Sequence, residues 1–148
     1  MLWGLALTHR SVEVSMEAVP RRVLVVEDNP INQLLMRTML GREGIYVRLA
    51  VNGAEGVEQA QEGGWDLVLM DLQMPIMDGF EATRNIRKLP GETSRVPIVA
   101  VTANSLPADR LRAAQAGMDD FIAKPVQLGI LRGALRKWLG PTTERRAS

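Results

Sequence analysis

The sequence predicts a single α/β domain built on a five-stranded, doubly wound parallel sheet with five helices. Three observations lead there. Short apolar runs alternate, five times over, with segments whose apolar residues recur at helical spacing, the pattern of strand–helix units joined by crossovers. Such runs end on chemically active side chains, where open parallel sheets keep their sites: Glu27-Asp28 after Val23–Val26, Asp71 after Leu67–Met70, Thr102 after Ile98–Val101, and Lys124 before Pro125. The 148 residues are 46% hydrophobic and 24% charged, enough apolar material for one core and too much for wholesale disorder.

The elements follow in order from Arg22. Val23–Val26 is a β-branched strand. Asn29-Pro30 opens a helix, since Pro suits the first turn, where its missing N–H has no partner to lose. Ile31, Leu34, Leu35 and Met39 are its expected buried stripe, and Gly41 and Gly44 its close. Tyr46–Ala50 is a strand. Asn52-Gly53 leads into a helix over 54–61, stopped by Gly63-Gly64. Trp65–Met70 is the third strand. Asp78, a favoured N-cap, starts a helix over Gly79–Lys88 with Phe80, Thr83 and Ile86 on one side. Residues 89–95 read as a loop. Ile98–Val101 is the fourth strand and Pro107–Ala116 a short helix with Gly117 as its C-cap. Asp119–Ala123 is the fifth strand. Leu128, Leu131, Leu135 and Trp138 form the inner stripe of a last helix, which Gly129 and Gly133 weaken by ~1 kcal/mol each. Right-handed crossovers put helices on both faces. The strand order 2-1-3-4-5, the flavodoxin-like order, would set the first and third strands side by side and bring Glu27, Asp28 and Asp71 together.

Composition excludes several functions. A net charge of +1 gives no general case for binding nucleic acid or an anionic membrane. The absence of cysteine removes disulfides, thiol catalysis and thiolate metal sites, and fits a cytoplasmic location. One histidine, His9, lies outside the periodic region, which argues against a His-based triad or metal site. No stretch approaches the ~18 apolar residues of a membrane helix, so no membrane insertion is expected. Met1–Thr8 is apolar but lacks the basic flank of a signal peptide. Residues 1–20 are read as a poorly ordered extension, with Met16 an alternative start, 21–139 as the domain, and 140–148 as a flexible polar tail.

The residues at the strand ends suit phosphoryl chemistry. A carboxylate attacks a phosphoryl group when metal and cations hold that group in line. Asp71 is the candidate nucleophile. The pair Glu27-Asp28, with Asp71, offers the oxygen ligands Mg²⁺ prefers. Their charge of −3 is offset by Mg²⁺ and Lys124. Thr102 supplies a hydroxyl donor and Lys124 a cation for phosphoryl oxygens.

The motifs Val-Glu-Asp-Asn-Pro at 26–30, Met-Asp-Leu-Gln-Met-Pro at 70–75, Met-Asp-Gly at 77–79, Val-Thr-Ala-Asn at 101–104 and Phe-Ile-Ala-Lys-Pro at 121–125 carry a resemblance. From about residue 21 to 139 the chain resembles the receiver domain of two-component response regulators (the CheY-like fold), most of all receivers attached to hybrid histidine kinases. The resemblance implies a phosphoacceptor at Asp71 that takes its phosphoryl group from a histidine kinase or histidine phosphotransfer protein, followed by slow autodephosphorylation. It implies that Asp28 and Asp71 bind Mg²⁺ (or Mn²⁺ in its place) directly, Glu27 partly through water, and the Gln73 backbone carbonyl as a further ligand. It implies a switch of Thr102 and Phe121, tuning of dephosphorylation by Gln73 and Asn104, and a cis bond before Pro125. A downstream partner, or a second copy in a homodimer, would meet the face of the fourth helix, fifth strand and fifth helix. Gln127, in place of an acidic or hydroxyl cap, and the two glycines depart from the family in that last helix. With no output-domain length after Leu139, the expectation is a single-domain regulator, a relay intermediate or a piece of a hybrid kinase. Two other readings compete. One is a phosphorylation-independent scaffold of the same shape, against which the full acid and lysine set argues. The other is a haloacid-dehalogenase-type phosphatase, which needs an acid at position 73, where Gln73 stands.

Overall fold

The computed structural model describes residues 18–141 and 144–146. Five parallel strands, β2 (Arg22–Val26), β3 (Tyr46–Ala50), β4 (Leu67–Met70), β5 (Ile98–Thr102) and β6 (Asp120–Ala123), form one sheet in the order β3-β2-β4-β5-β6. Counted within this sheet, that is the expected 2-1-3-4-5. Five helices cover it: α1 (Pro30–Arg42), α2 (Gly53–Ala60), α3 (Gly79–Arg87), α4 (Pro107–Ala116) and α5 (Leu128–Leu139).

Alternation along the strands builds two core layers. Leu24, Val26, Val68, Met70, Ile98 and Ala100 face α2, α3 and α4. Val23, Val25, Leu67, Leu69, Val99 and Val101 face α1 and α5, against Met36, Leu40, Leu131 and Leu135. The same alternation aims the residues that follow each run: Glu27 continues the face of Val25, and Asp71 that of Leu69. The register pairs Val26 with Met70, so the two acids end up on neighbouring strands.

Several elements differ from the sequence reading. In α1 the expected stripe is wrong at three of its four positions, and only Met39 packs against the core. Ile31 and Leu34 are 77% and 66% exposed and Leu35 is exposed too, while Met36 and Leu40 face the core. Two contacts set that rotation. The Asn29 side chain caps the helix, accepting from Ile31 N and Asn32 N, and Gln33 Nε2 donates to the Glu27 carbonyl at 2.7 Å. Gly41 lies inside α1, and Gly44, at φ +74°, follows its end. Leu139 joins Leu131 and Leu135 as the fully buried stripe of α5, while Trp138 packs against the core only in part, its indole N–H donating to Asp120. Gln127 gives α5 no side-chain cap. Residues 91–95 of the expected loop form a 3₁₀ turn. Arg87 ties this region together: it donates to the carbonyls of Gly117, Ser94 and Val96 and pairs with Asp119.

Ala18–Pro20 (β1) and Glu144–Arg146 (β7), which the domain reading gives to the extension and the tail, pair antiparallel as a second, two-stranded sheet. The rest of the extension, with His9 and Met16, and tail residues 142, 143, 147 and 148 lie outside the described residues.

Candidate functional site

The carboxyl ends of β2, β4, β5 and β6 surround a cleft of about 230 Å³ whose lining includes Glu27, Asp28, Asp71, Gln73, Thr102 and Lys124. Each side chain is placed by backbone. Asp71 N donates to Val26 O at 3.0 Å, and Glu27 N to Ala50 O at 2.9 Å, which extends the sheet ladder by one residue on two strands. Lys124 N donates to Thr102 O at 2.9 Å, and the next bond, Lys124–Pro125, is cis, as the resemblance implied. Behind Asp71 the chain turns so tightly that a Cβ at Gly79 would lie 2.1 Å from the Asp71 carbonyl oxygen, so only glycine fits there. Asp78 caps α3, its carboxylate accepting from Glu81 N at 2.8 Å, and so takes the structural role expected of it.

Glu27, Asp28 and Asp71 bring one carboxylate oxygen each to within 4.8 Å of one another. Glu27 and Asp71 are buried and Asp28 is exposed at the mouth. Lys124 Nζ lies 2.6 Å from Glu27 Oε1 and 3.3 Å from Asp71 Oδ2. This geometry divides the charge unevenly. Burial, then the hydrogen bond and repulsion of Glu27, push the Asp71 carboxyl up to about 7. Burial raises Glu27 as well, but hydrogen bonds from Lys124, Asp71 and the Asn29 N–H outweigh it and hold Glu27 below its ordinary value. Burial works against the Lys124 charge, yet its two acidic partners raise it. Three carboxylates against one ammonium leave a charge of −2, which a divalent, oxygen-seeking cation would match. The residues present therefore fit Mg²⁺.

Thr102 is buried, and its Oγ1 accepts from Asn104 N at 3.2 Å, which leaves the hydroxyl proton to donate elsewhere. Asn104 opens instead on a neighbouring cavity of about 300 Å³ that Gln73 and Thr102 also line. Phe121 is half-buried and packs on the α2–α4 core layer, away from the acids. Asn32 and Gln33 escaped the sequence reading. Asn32 lines the cleft, and Gln33 anchors the acidic pair through the Glu27 carbonyl. Their signal was in the motif continuing from Asn29-Pro30, two amides on the first helical turn.

Comparisons with known proteins point to one family. Residues 23–136 match the model of the response regulator receiver domain. Hybrid signal transduction histidine kinase G of Dictyostelium discoideum is 44% identical over 124 residues, 82% of this chain. Sensor protein GacS of Pseudomonas syringae is 43% identical over 121 residues, 80% of this chain. The chain spans only 4% and 13% of the length of these two relatives. The receiver domain of sensor histidine kinase PA1611 from Pseudomonas aeruginosa, solved with a magnesium ion in its active-site cleft, superposes with TM-score 0.77 at 42% identity, covering 82% of this chain and 99% of that one. The receiver domain of Saccharomyces cerevisiae Ssk1, solved in complex with the histidine phosphotransfer protein Ypd1, gives TM-score 0.73 at 37% identity, covering 80% and 89%.

Proposed function

The chain belongs to the response regulator receiver domain family, and from that premise we propose that it takes a phosphoryl group from a partner's phosphohistidine onto Asp71. The observation that carries this reading is the meeting of Glu27, Asp28 and Asp71 within 4.8 Å, with Lys124 against two of them. In the transfer the P–N bond of the donor breaks as a P–O bond forms to an Asp71 carboxylate oxygen, and the imidazole leaves. Mg²⁺, held by Asp28 and Asp71 with help from Glu27 and the Gln73 carbonyl, supplies charge neutralisation and alignment of the phosphoryl oxygens when bound. Lys124 leaves its Asp71 contact for a phosphoryl oxygen, and Thr102 donates its hydroxyl proton to another. Gln73, which lines the cleft beside Asp71, and Asn104, on the neighbouring cavity two residues beyond Thr102, tune how water reaches the acyl phosphate and so its lifetime.

The donor is a histidine kinase or a histidine phosphotransfer protein. The exposed Ile31, Leu34 and Leu35 support α1 as its docking face, because Asn32 of the same helix lines the cleft. Thr102 and Phe121 pass the change to the surface of α4, β6 and α5, where the downstream partner binds. A cytoplasmic setting is part of this reading; no helix among the described residues is long and apolar enough to cross a membrane.

Intact mass after incubation with acetyl phosphate and Mg²⁺ tests the assignment. One phosphoryl adduct is expected on the wild type, none on Asp71→Asn and none in EDTA. An adduct on Asp71→Asn would overturn it.

A further inference from the structure

Both phenylalanines of the chain lie beneath arginines of α4. The Arg110 guanidinium is 4.9 Å from the centre of the Phe121 ring on β6, and that of Arg112 is 4.1 Å from the Phe80 ring on α3. Residues two apart on a helix point about 200° from each other, so the two contacts grip opposite flanks of α4. Apart from Arg87, which grips the carbonyl of its C-cap Gly117, little else holds this helix. Its buried residues are Ala113 and Ala116, and its N-cap, Leu106, makes no side-chain capping bond. α5 is seated differently. It buries Leu131, Leu135 and Leu139, and the Asp120 carboxylate of β6 accepts from its Trp138 indole at 2.9 Å and from Lys137 at 3.4 Å. α4 is strapped to the domain where α5 is bedded in it.

The two straps are unequal. Both arginines are exposed, but Phe80 is 4% exposed and fixed in the core, with Arg112 at 4.1 Å, whereas Phe121 is half-buried, with Arg110 at 4.9 Å. The Arg112–Phe80 contact also borders the cavity of about 300 Å³ that Thr102 and Asn104 line, so there is room on that flank. The connection from Thr102 to α4 is short, residues 103–106, and a displacement of Thr102 reaches the helix directly.

We propose that Arg110 is a releasable latch on Phe121 and that Arg112 on Phe80 is the pivot about which α4 turns, so that α4 rather than α5 carries the response to phosphorylation. The proposal rests on Asp71 being the phosphoacceptor. A contact made at rest and lost on phosphorylation opposes phosphorylation by its own strength, and by linkage its removal favours the phosphorylated form by the same factor. For an exposed cation–π contact that factor is about two- to fivefold.

Protein labelled with 4-fluorophenylalanine gives two fluorine resonances, assigned with Phe121→Leu. The Mg²⁺-loaded protein is titrated with beryllofluoride, a mimic of the bound phosphoryl group. The Phe121 resonance is expected to move and that of Phe80 to stay. Arg110→Met should bind beryllofluoride about two- to fivefold more tightly, Arg110→Lys should return toward wild type because it keeps the cation, and Arg112→Met should match wild type. Unchanged or weaker binding by folded Arg110→Met, or a Phe80 resonance that moves as far as that of Phe121, would overturn the latch and leave the phosphoacceptor standing. A wild type that binds no beryllofluoride and gains no mass from acetyl phosphate would sink the phosphoacceptor reading, and the latch with it.

Discussion

Replacing Asp71 by Asn should stabilise the metal-free domain, by an amount that depends on pH. Burial and the neighbouring Glu27 hold the Asp71 carboxyl up to about 7, against an ordinary value of 3.8. In the unfolded chain it ionises near that ordinary value. Between the two values the folded state binds the extra proton, so wild-type stability falls as pH rises through this window, and the loss is complete above it. About three pH units at ~1.4 kcal/mol each set a ceiling of about 4 kcal/mol. Glu27 is coupled in the opposite sense, held below its ordinary value, and Lys124 stands 3.3 Å from Asp71, so the pair releases less than the ceiling. We expect Asp71→Asn to gain about 2 kcal/mol near pH 8 and almost nothing near pH 4. Urea unfolding of both proteins in EDTA across that range measures it, and added Mg²⁺ should narrow the gap at high pH by binding the wild type more tightly. An Asn variant no more stable than wild type near pH 8, or a difference that ignores pH, would refute the account of the site as a strained cluster of charge.

Three further outcomes follow from contacts already described. Gly79→Ala places a Cβ 2.1 Å from the Asp71 carbonyl oxygen, so unfolding midpoints should report a loss of about 3 kcal/mol, and the folded fraction should bind Mg²⁺ more weakly as Asp71 shifts. Arg87→Ala strands the carbonyls of Gly117, Ser94 and Val96 and unpairs Asp119, for an expected loss of about 3 kcal/mol by urea unfolding. Leu34→Glu, on the exposed face of α1, should change stability by less than about 0.5 kcal/mol. It should slow transfer from a phosphorylated histidine phosphotransfer protein at least about tenfold through lost apolar burial, with acetyl phosphate labelling unchanged. Equal slowing from both donors would place the defect in the cleft.

The site was more legible in the sequence than the packing around it. Asp71, Thr102 and Lys124 could be found because each interrupts or ends an apolar run at a strand end, the edge at which an open parallel sheet keeps its site. Register then fixed the meeting of Glu27 with Asp71. Helix α1 was not legible in this way. Ile31, Leu34, Leu35, Met36, Met39 and Leu40 leave no polar face to mark the outside, and the choice was made by the Asn29 cap and the Gln33 contact to Glu27, both of which depend on where β2 ends. The short strands β1 and β7 pair three residues each and carry no alternation to announce them. Trp138 packs against the core as expected but only in part, because its indole N–H needed the partner that Asp120 supplies, which the sequence does not announce.

The outward leucines of α1 also carry a thermodynamic signature. A partner that covers Ile31, Leu34 and Leu35 takes carbon surface out of water, so its association should lower the heat capacity and strengthen in sulfate. The adjoining acidic cleft obeys the opposite rule, since salt screens the attraction between its open mouth and a divalent ion. One end of the molecule thus holds, side by side, an apolar face whose covering salting-out ions would favour and a charged cleft whose attraction for a cation salt would weaken. If a partner docks there and Mg²⁺ fills the cleft, the ionic composition around the protein would set the balance between the two.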